Sequence, residues 1–185
     1  VSVLVNGDMS DGIPLTERDF HTNFLLLVVA GNETTRHTIS HTMRNLIEHP
    51  DQLAILQENP DMIPWAVEEF LRYASPVYHF RRTATRDAVI NGVNIKEGQK
   101  VVPFFASGNR DEAIFANPDK FDVGRNPNEH MTFGRGGAHM CLGNALARIE
   151  LRVMFEDLIQ RVDKVELTGK IDYLRSNFVH GIKRM

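Results

Sequence analysis

Between Leu15 and Pro50 the sequence carries one uninterrupted helical pattern. Thr16-Glu17-Arg18-Asp19 has the form of a capping box, and Leu15 and Phe20 are spaced for a hydrophobic staple across it. Apolar residues recur at helical spacing through Phe20, Phe24, Leu27, Val28, Ile39, Met43 and Leu46, and the pattern stops at His49, ahead of Pro50. The spacing predicts a helix of about 33 residues, roughly 50 Å long at 1.5 Å per residue. So long a helix is unusual in a small domain. It points to a helix that crosses a larger protein.

The rest of the chain breaks into shorter pieces. Proline-bounded helices are expected around Gln52–Glu58 and Met62–Tyr73. Arg81–Thr85, Val89–Asn91, Val93–Ile95 and Lys100–Phe105 read as short strands, with Asn91-Gly92 as a tight turn. Asp111–Met131, rich in Asn, Pro and Asp, reads as an irregular meander, and Asn6–Pro14 as a loop. A second long helix is expected after Cys141, with Leu142, Ala145, Leu146, Ile149 and Val153 on one face. The tail offers strand-like pieces at Val165–Leu167 and Asn177–Val179, then His180-Gly181 as a turn.

Composition narrows the function classes. A net charge of −3 lacks the basic excess of a nucleic-acid footprint, so no nucleic-acid partner is expected. The strongest apolar run, Phe24–Ala30, is far short of the roughly 20 residues that span a bilayer. No membrane signal is therefore expected in this segment, and a cytoplasmic location is. Val1 is not a methionine and the chain opens in mid-flow, so truncation at either end is expected. A single cysteine excludes an intrachain disulfide.

That cysteine lies in the stretch Phe133-Gly134-Arg135-Gly136-Gly137-Ala138-His139-Met140-Cys141-Leu142-Gly143, at the end of its Gly-rich part. A lone cysteine is most often a core residue. This one stands directly before a helix, whose N-terminus favours the thiolate, and loop N–H groups can tune the sulfur. Gly143 keeps the first helical turn thin enough for a flat macrocycle to lie against it. A phosphate loop would need the Walker lysine or a G-x-G-x-x-G spacing. A zinc site would need more ligands. A nucleophilic pair with His139 is disfavoured, because residues two apart on an extended loop usually point away from each other.

In the middle of the long helix stands Ala30-Gly31-Asn32-Glu33-Thr34-Thr35. Glycine there costs about 1 kcal/mol relative to alanine, and lets something approach the backbone. The Thr34 hydroxyl can bond back to the carbonyl of Ala30. His37 and His41 share a face, but no Glu stands beside His37 in a His-Glu-x-x-His pattern. Both are read as packed or solvated histidines. Glu69 and Arg72, three apart, can pair on their helix.

These segments together resemble the cytochrome P450 family, in family order and over nearly the whole chain. The resemblance implies that Cys141 is the axial ligand of the iron in haem b, that His139 and Arg82 bond haem propionates, and that Phe133 shields the sulfur. Phe133 lies one residue further from Cys141 than in the commonest form of the motif. Gly31 would open a groove for dioxygen, and Ala30 would contact the haem. Glu33 would relay protons, and Thr34 would guide protonation of the distal oxygen. Glu69 and Arg72 match the Glu-x-x-Arg motif. Lys120 stands where many members have the third partner, an arginine, and Arg125 is the candidate for that role. Val77, Tyr78, His79, Phe178 and Val179 are candidate pocket walls for an apolar substrate.

The fold implied is mainly α with small β-sheets. It is the C-terminal, haem-binding half of the family's fold, with residues 1–185 forming one partial domain. The activity implied is monooxygenation by O₂, with electrons passed from NAD(P)H through a ferredoxin or flavoprotein. The segment looks like soluble bacterial members, for which sterols, lipids or terpenoids are the expected substrates. The alternative is a non-catalytic or degenerate haem-binding fragment. Because members are about twice this length, the isolated chain is expected to be inactive.

Overall fold

The protein is described by a computed structural model, which covers Gly12 and residues 14–185. Most of the loop expected over Asn6–Pro14 lies outside the described residues. The long helix, α1, runs Glu17–Glu48. Thr16 caps it: its Oγ1 accepts the amide hydrogen of Asp19 at 3.1 Å, and the Asp19 carboxylate accepts the Thr16 amide at 3.3 Å. Both bonds satisfy N–H groups that a helix start would otherwise leave unpaired. Pro50 ends α1 and opens α2, Pro50–Glu58. A 3₁₀ turn over Pro60–Met62 leads into α3, Ile63–Ala74.

Helix α3 is the centre of the core. Ile63, Ala66, Val67, Phe70, Leu71 and Ala74 are all buried on it. That spacing of three and four makes one continuous apolar stripe. Phe70 meets Phe121 of the meander and Phe155 of the last helix, with ring centroids 6.3 and 4.9 Å apart. Full burial of such a ring is worth about 2–3 kcal/mol. Leu46 from α1, Leu56 from α2, and Leu151, Phe155 and Ile159 from the last helix close the cluster.

The strands are short and pair in twos. β1 (Arg82–Thr83) pairs antiparallel with β4 (Lys100–Val101), and β2 (Ala88–Ile90) with β3 (Val93–Ile95). Asn91 and Gly92 both have positive φ, 48° and 79°, as the tight turn between β2 and β3 requires. The strand read at Arg81–Thr85 is trimmed to Arg82–Thr83, and the one read at Lys100–Phe105 is cut short before Phe105–Gly108 turns into a short helix, α4. No helix or strand interrupts Asp111–Met131. The last helix, α5, spans Asn144–Arg161.

The tail departs from the sequence reading. Val165–Leu167 forms no strand; β5 is Asp172–Tyr173 and β6 is Ile182–Arg184. His180-Gly181 is not the turn. The His180 amide donates to Pro76 O and the Gly181 carbonyl accepts from Leu174, so both sit in ladders. The chain reverses around Ser176, whose hydroxyl accepts the amides of Phe178 and Val179. Gly181 is required there, since a Cβ would collide with Leu174 and His37. No helix among the described residues is long and apolar enough to cross a membrane.

Candidate functional site

The Ala30–Thr34 motif sits at mid-length in α1. The Thr34 hydroxyl donates to Ala30 O at 2.7 Å, and nothing among the described residues lies within 4 Å of where a Gly31 Cβ would stand. The notch is therefore open. Glu33 Oε2 lies 2.5 Å from Arg36 Nη2 and 3.0 Å from His37 Nε2. The hydrogen bond from Arg36 holds the Glu33 carboxyl below the usual range. His37 is fully buried, and burial lowers its pKa. His41, one turn on, faces the His180 carbonyl at 3.1 Å, and burial pushes it down to about 3. Both histidines are packed residues, and His37 additionally touches the motif's acid.

The cysteine loop is built on glycine. Gly134, Gly136 and Gly137 all have φ between 72° and 76°, a region that residues with a Cβ avoid. The loop closes where the Cys141 amide donates to Phe133 O at 2.9 Å. Cys141 is exposed, and Gly143 follows it as the N-cap of α5. A Cβ on Gly143 would stand 4.0 Å from the sulfur. His139 and Arg82 are both exposed and make no ion pair among the described residues. Arg82 lies over the Phe80 ring at 5.9 Å.

The candidate pocket residues come together by backbone pairing. Val77 bridges Val179, and His79 bridges Phe104. The Tyr78 amide donates to Phe178 O at 2.9 Å. His79 Nδ1 is buried without a hydrogen-bond partner among the described residues.

Behind the loop, Arg72 grips Glu69 through two bonds, Nε–Oε2 at 2.7 Å and Nη2–Oε1 at 2.8 Å. Both side chains are fully buried. Arg125 Nε reaches Glu69 Oε2 at 3.2 Å, and Asn128 Nδ2 donates to the same oxygen at 3.0 Å. Two guanidiniums against one carboxylate leave a surplus positive charge. It is spread over the carbonyls of Asn109, Ala116, Asn117, Pro118 and Lys120. The side chain of Lys120 turns away to Asp122. The acid–base pair therefore ties α3 to the meander.

Sequence reasoning missed a second network, one residue away. Glu68 binds Arg148 of α5 bidentately, at 2.7 and 2.9 Å, and faces His130 Nε2 at 3.0 Å. Burial works against ionisation of Glu68, but the hydrogen bonds from Arg148 and His130 outweigh it and bring its pKa to about 2. Arg148 in turn is raised, first by Glu68 and to a smaller extent by the field of Cys141. Nothing local in the sequence signals a pair 80 residues apart.

The apolar face read on α5 is not a core face. Leu142, Leu146, Ile149 and Val153 are exposed, Leu142 at 86%, while Leu151, Phe155 and Ile159 turn inward. Among the described residues no hydrogen bond or ion pair joins the α1 motif to the cysteine loop. Nor does any group of three His, Cys, Asp or Glu residues stand ready for a bare metal ion. A metal held here by one soft thiol has to bring its other ligands with it. Haem does so, and its apolar faces suit the exposed apolar side chains beside Cys141. The residues present fit the group.

Comparison with known proteins agrees. The cytochrome P450 family model matches residues 1–177. Linalool 8-monooxygenase of Pseudomonas putida is 47% identical over the whole chain, which spans 45% of that protein. A steroid C26-monooxygenase of Mycobacterium tuberculosis is 42% identical, again over the whole chain, and the chain spans 50% of it. Among solved structures, a Mycobacterium marinum cytochrome P450 in complex with pseudoionone superimposes with a TM-score of 0.94 at 46% identity, over 99% of this chain and 44% of its own. The chain thus spans about half the length of the curated relatives it matches, and in sequence and fold it belongs to the cytochrome P450 family.

Proposed function

We propose that the protein is a haem-thiolate monooxygenase and that this chain supplies its haem-ligating part, within one domain of the family's fold, in the cytoplasm. The observation that carries the reading is the exposed Cys141 thiol. It is held by its own amide against Phe133 O, ahead of α5, with no metal-ligating partner among the described residues. When bound, haem supplies the iron at which dioxygen is reduced and split. The overall balance is RH + O₂ + 2e⁻ + 2H⁺ giving ROH and H₂O. The electrons come from NAD(P)H through a ferredoxin or flavoprotein.

Cys141 would hold the iron, and Gly143 and Phe133 would flank the sulfur. His139 and Arg82, exposed and free of ion pairs among the described residues, would take the two propionates, for which charge-assisted bonds are the natural partners. On α1, Gly31 would leave room for a diatomic ligand, and Ala30 would contact the haem. Glu33 exchanges protons with solvent, its carboxylate anchored by Arg36 and His37. Thr34, parked on Ala30 O, can turn its hydroxyl to pass a proton onward. The buried Glu69–Arg72–Arg125 lock holds the scaffold behind the loop.

The substrate is proposed to be an apolar terpenoid, branched lipid or steroid, bounded by Val77, Tyr78, His79, Phe178 and Val179. Support comes from relatives named for linalool, methyl-branched lipids and steroids. The test is the absorption spectrum of the reduced, CO-bound, haem-loaded protein beside its Cys141→Ala variant. A strongly red-shifted Soret band that disappears in the variant is expected. A folded, haem-loaded protein without that band, or a variant that keeps it, ends the reading.

A further inference from the structure

Glu68 is adjacent to the lock but takes no part in it. Its carboxylate leaves α3 on another side and receives three hydrogen bonds, two from Arg148 and one from His130. The His130 bond has a defined sense. The Thr132 amide donates to His130 Nδ1 at 3.2 Å, so Nδ1 is the acceptor and Nε2 carries the hydrogen that goes to Glu68. His130 Nε2 is thereby the donor to Glu68, and Arg148 meets the same carboxylate with a bidentate guanidinium.

From Arg148 two routes lead to the Cys141 peptide. In the first, the guanidinium lies over the Phe133 ring at 4.7 Å, and Phe133 O accepts the Cys141 amide at 2.9 Å. In the second, Arg148 Nη1 donates to Asn144 Oδ1 at 3.1 Å, and Asn144 Nδ2 donates to Cys141 O at 2.6 Å. The amide and the carbonyl of the same cysteine are thus both held by residues that Arg148 positions. His130 packs on Phe133 as well, with ring centroids 5.8 Å apart.

We infer that Glu68 and Arg148 form a clamp, distinct from the Glu69–Arg72 lock, that fixes the Cys141 peptide and so aims its sulfur. Both are positioning residues, and the inference rests on the reading of Cys141 as the iron ligand. A bidentate pair fixes the guanidinium plane. The plane fixes the Phe133 ring below it and the Asn144 amide beside it. Lysine at position 148 would keep the charge but lose the fork and the stacking face.

The test compares haem-loaded wild type with Glu68→Gln, Arg148→Lys and Glu68→Asp, and with Cys141→Ala as control. The first readout is the fraction of reduced, CO-bound protein that shows the red-shifted band. The second is hydrogen exchange of the Cys141 amide, with the Asp122 amide, which donates to Glu69 at 2.9 Å, as internal reference. The clamp predicts that Glu68→Gln and Arg148→Lys each lower the shifted fraction at least about twofold at equal haem content. It predicts Cys141 amide exchange faster by about tenfold or more, with Asp122 unchanged, and partial recovery in Glu68→Asp. General destabilisation would instead speed both amides alike, and that result overturns the clamp. So does wild-type behaviour in both single variants. If wild type shows no shifted band, or Cys141→Ala keeps it, the haem-thiolate reading fails. The amide exchange then still decides whether the clamp exists.

Discussion

Residues 24–29 of α1, Phe-Leu-Leu-Leu-Val-Val, are exposed all round, with Leu25 and Leu26 at 63% and 62%. Beginning about two turns further on, the same helix buries His37, Thr38, His41, Thr42 and Asn45 together with Leu46. The apolar half faces out and the polar half is core. What the inverted pair teaches is that burial follows partners rather than polarity. Thr38 donates to Thr34 O at 2.9 Å and Thr42 to Thr38 O at 2.8 Å, while His41 meets the His180 carbonyl. Thr38, His41 and Thr42 thus arrive bonded, which offsets the cost of burying them, while His37 Nδ1 and Asn45 Oδ1 have no partner among the described residues. The apolar half has no packed element opposite it among the described residues, in a chain that spans 45% of a curated relative.

Acid should break the comparison most strongly, by attacking the buried polar half. His41 is neutral in the fold because its pKa lies near 3 rather than 6.5. A depressed folded value means that stability is full above the unfolded pKa and is lost as pH falls from about 6.5 toward 3, by on the order of 4 kcal/mol. Glu68, lowered from 4.5 to about 2, loses its contribution in the same direction below about pH 4.5. Urea midpoints measured against pH should therefore fall steeply, and His41→Phe should flatten the part above pH 4.5. An unchanged slope in that variant would mean that His41 titrates normally.

Next in size is Arg72→Ala. It strands the fully buried Glu69 with Arg125 and Asn128 as its remaining side-chain partners, at a cost of about 3–5 kcal/mol in denaturant unfolding. A loss under 1 kcal/mol would show that Arg125 alone neutralises the carboxylate. The smallest effect belongs to the exposed half. Leu26→Ser should change the stability of this chain by no more than about 0.5 kcal/mol. A larger loss would mean that the face is covered by something in solution, and self-association, measured by sedimentation, would identify a second copy as that cover.

Much of this was readable beforehand because it is local. The capping box at Thr16–Asp19, the stop at Pro50, the Asn91-Gly92 turn and the three-residue spacing of Glu69 and Arg72 each lie within a few positions. Bonds at that range need no knowledge of the rest of the chain. Arg125 was also within reach, as the nearest arginine past Lys120. The pairing of Glu68 with Arg148 and the burial of His37 and His41 were not. Nor was the tail ladder that replaces the strand read at Val165–Leu167. The first two join segments far apart in sequence, where periodicity carries no signal, and the tail strands, Asp172–Tyr173 and Ile182–Arg184, are too short to show a period. The α5 face shows the same limit from the other side, since Leu142 to Val153 has helical apolar spacing whether or not anything covers it.

The order of the motifs, the helix that carries Thr34, and the lone cysteine ahead of α5 were set by neighbouring residues, because caps, turns and i to i+4 bonds close within a single segment. Which face of each helix turned inward, and which carboxylate met which guanidinium, depended on packing between segments. A buried charge takes whichever partner the assembled core brings within hydrogen-bond reach.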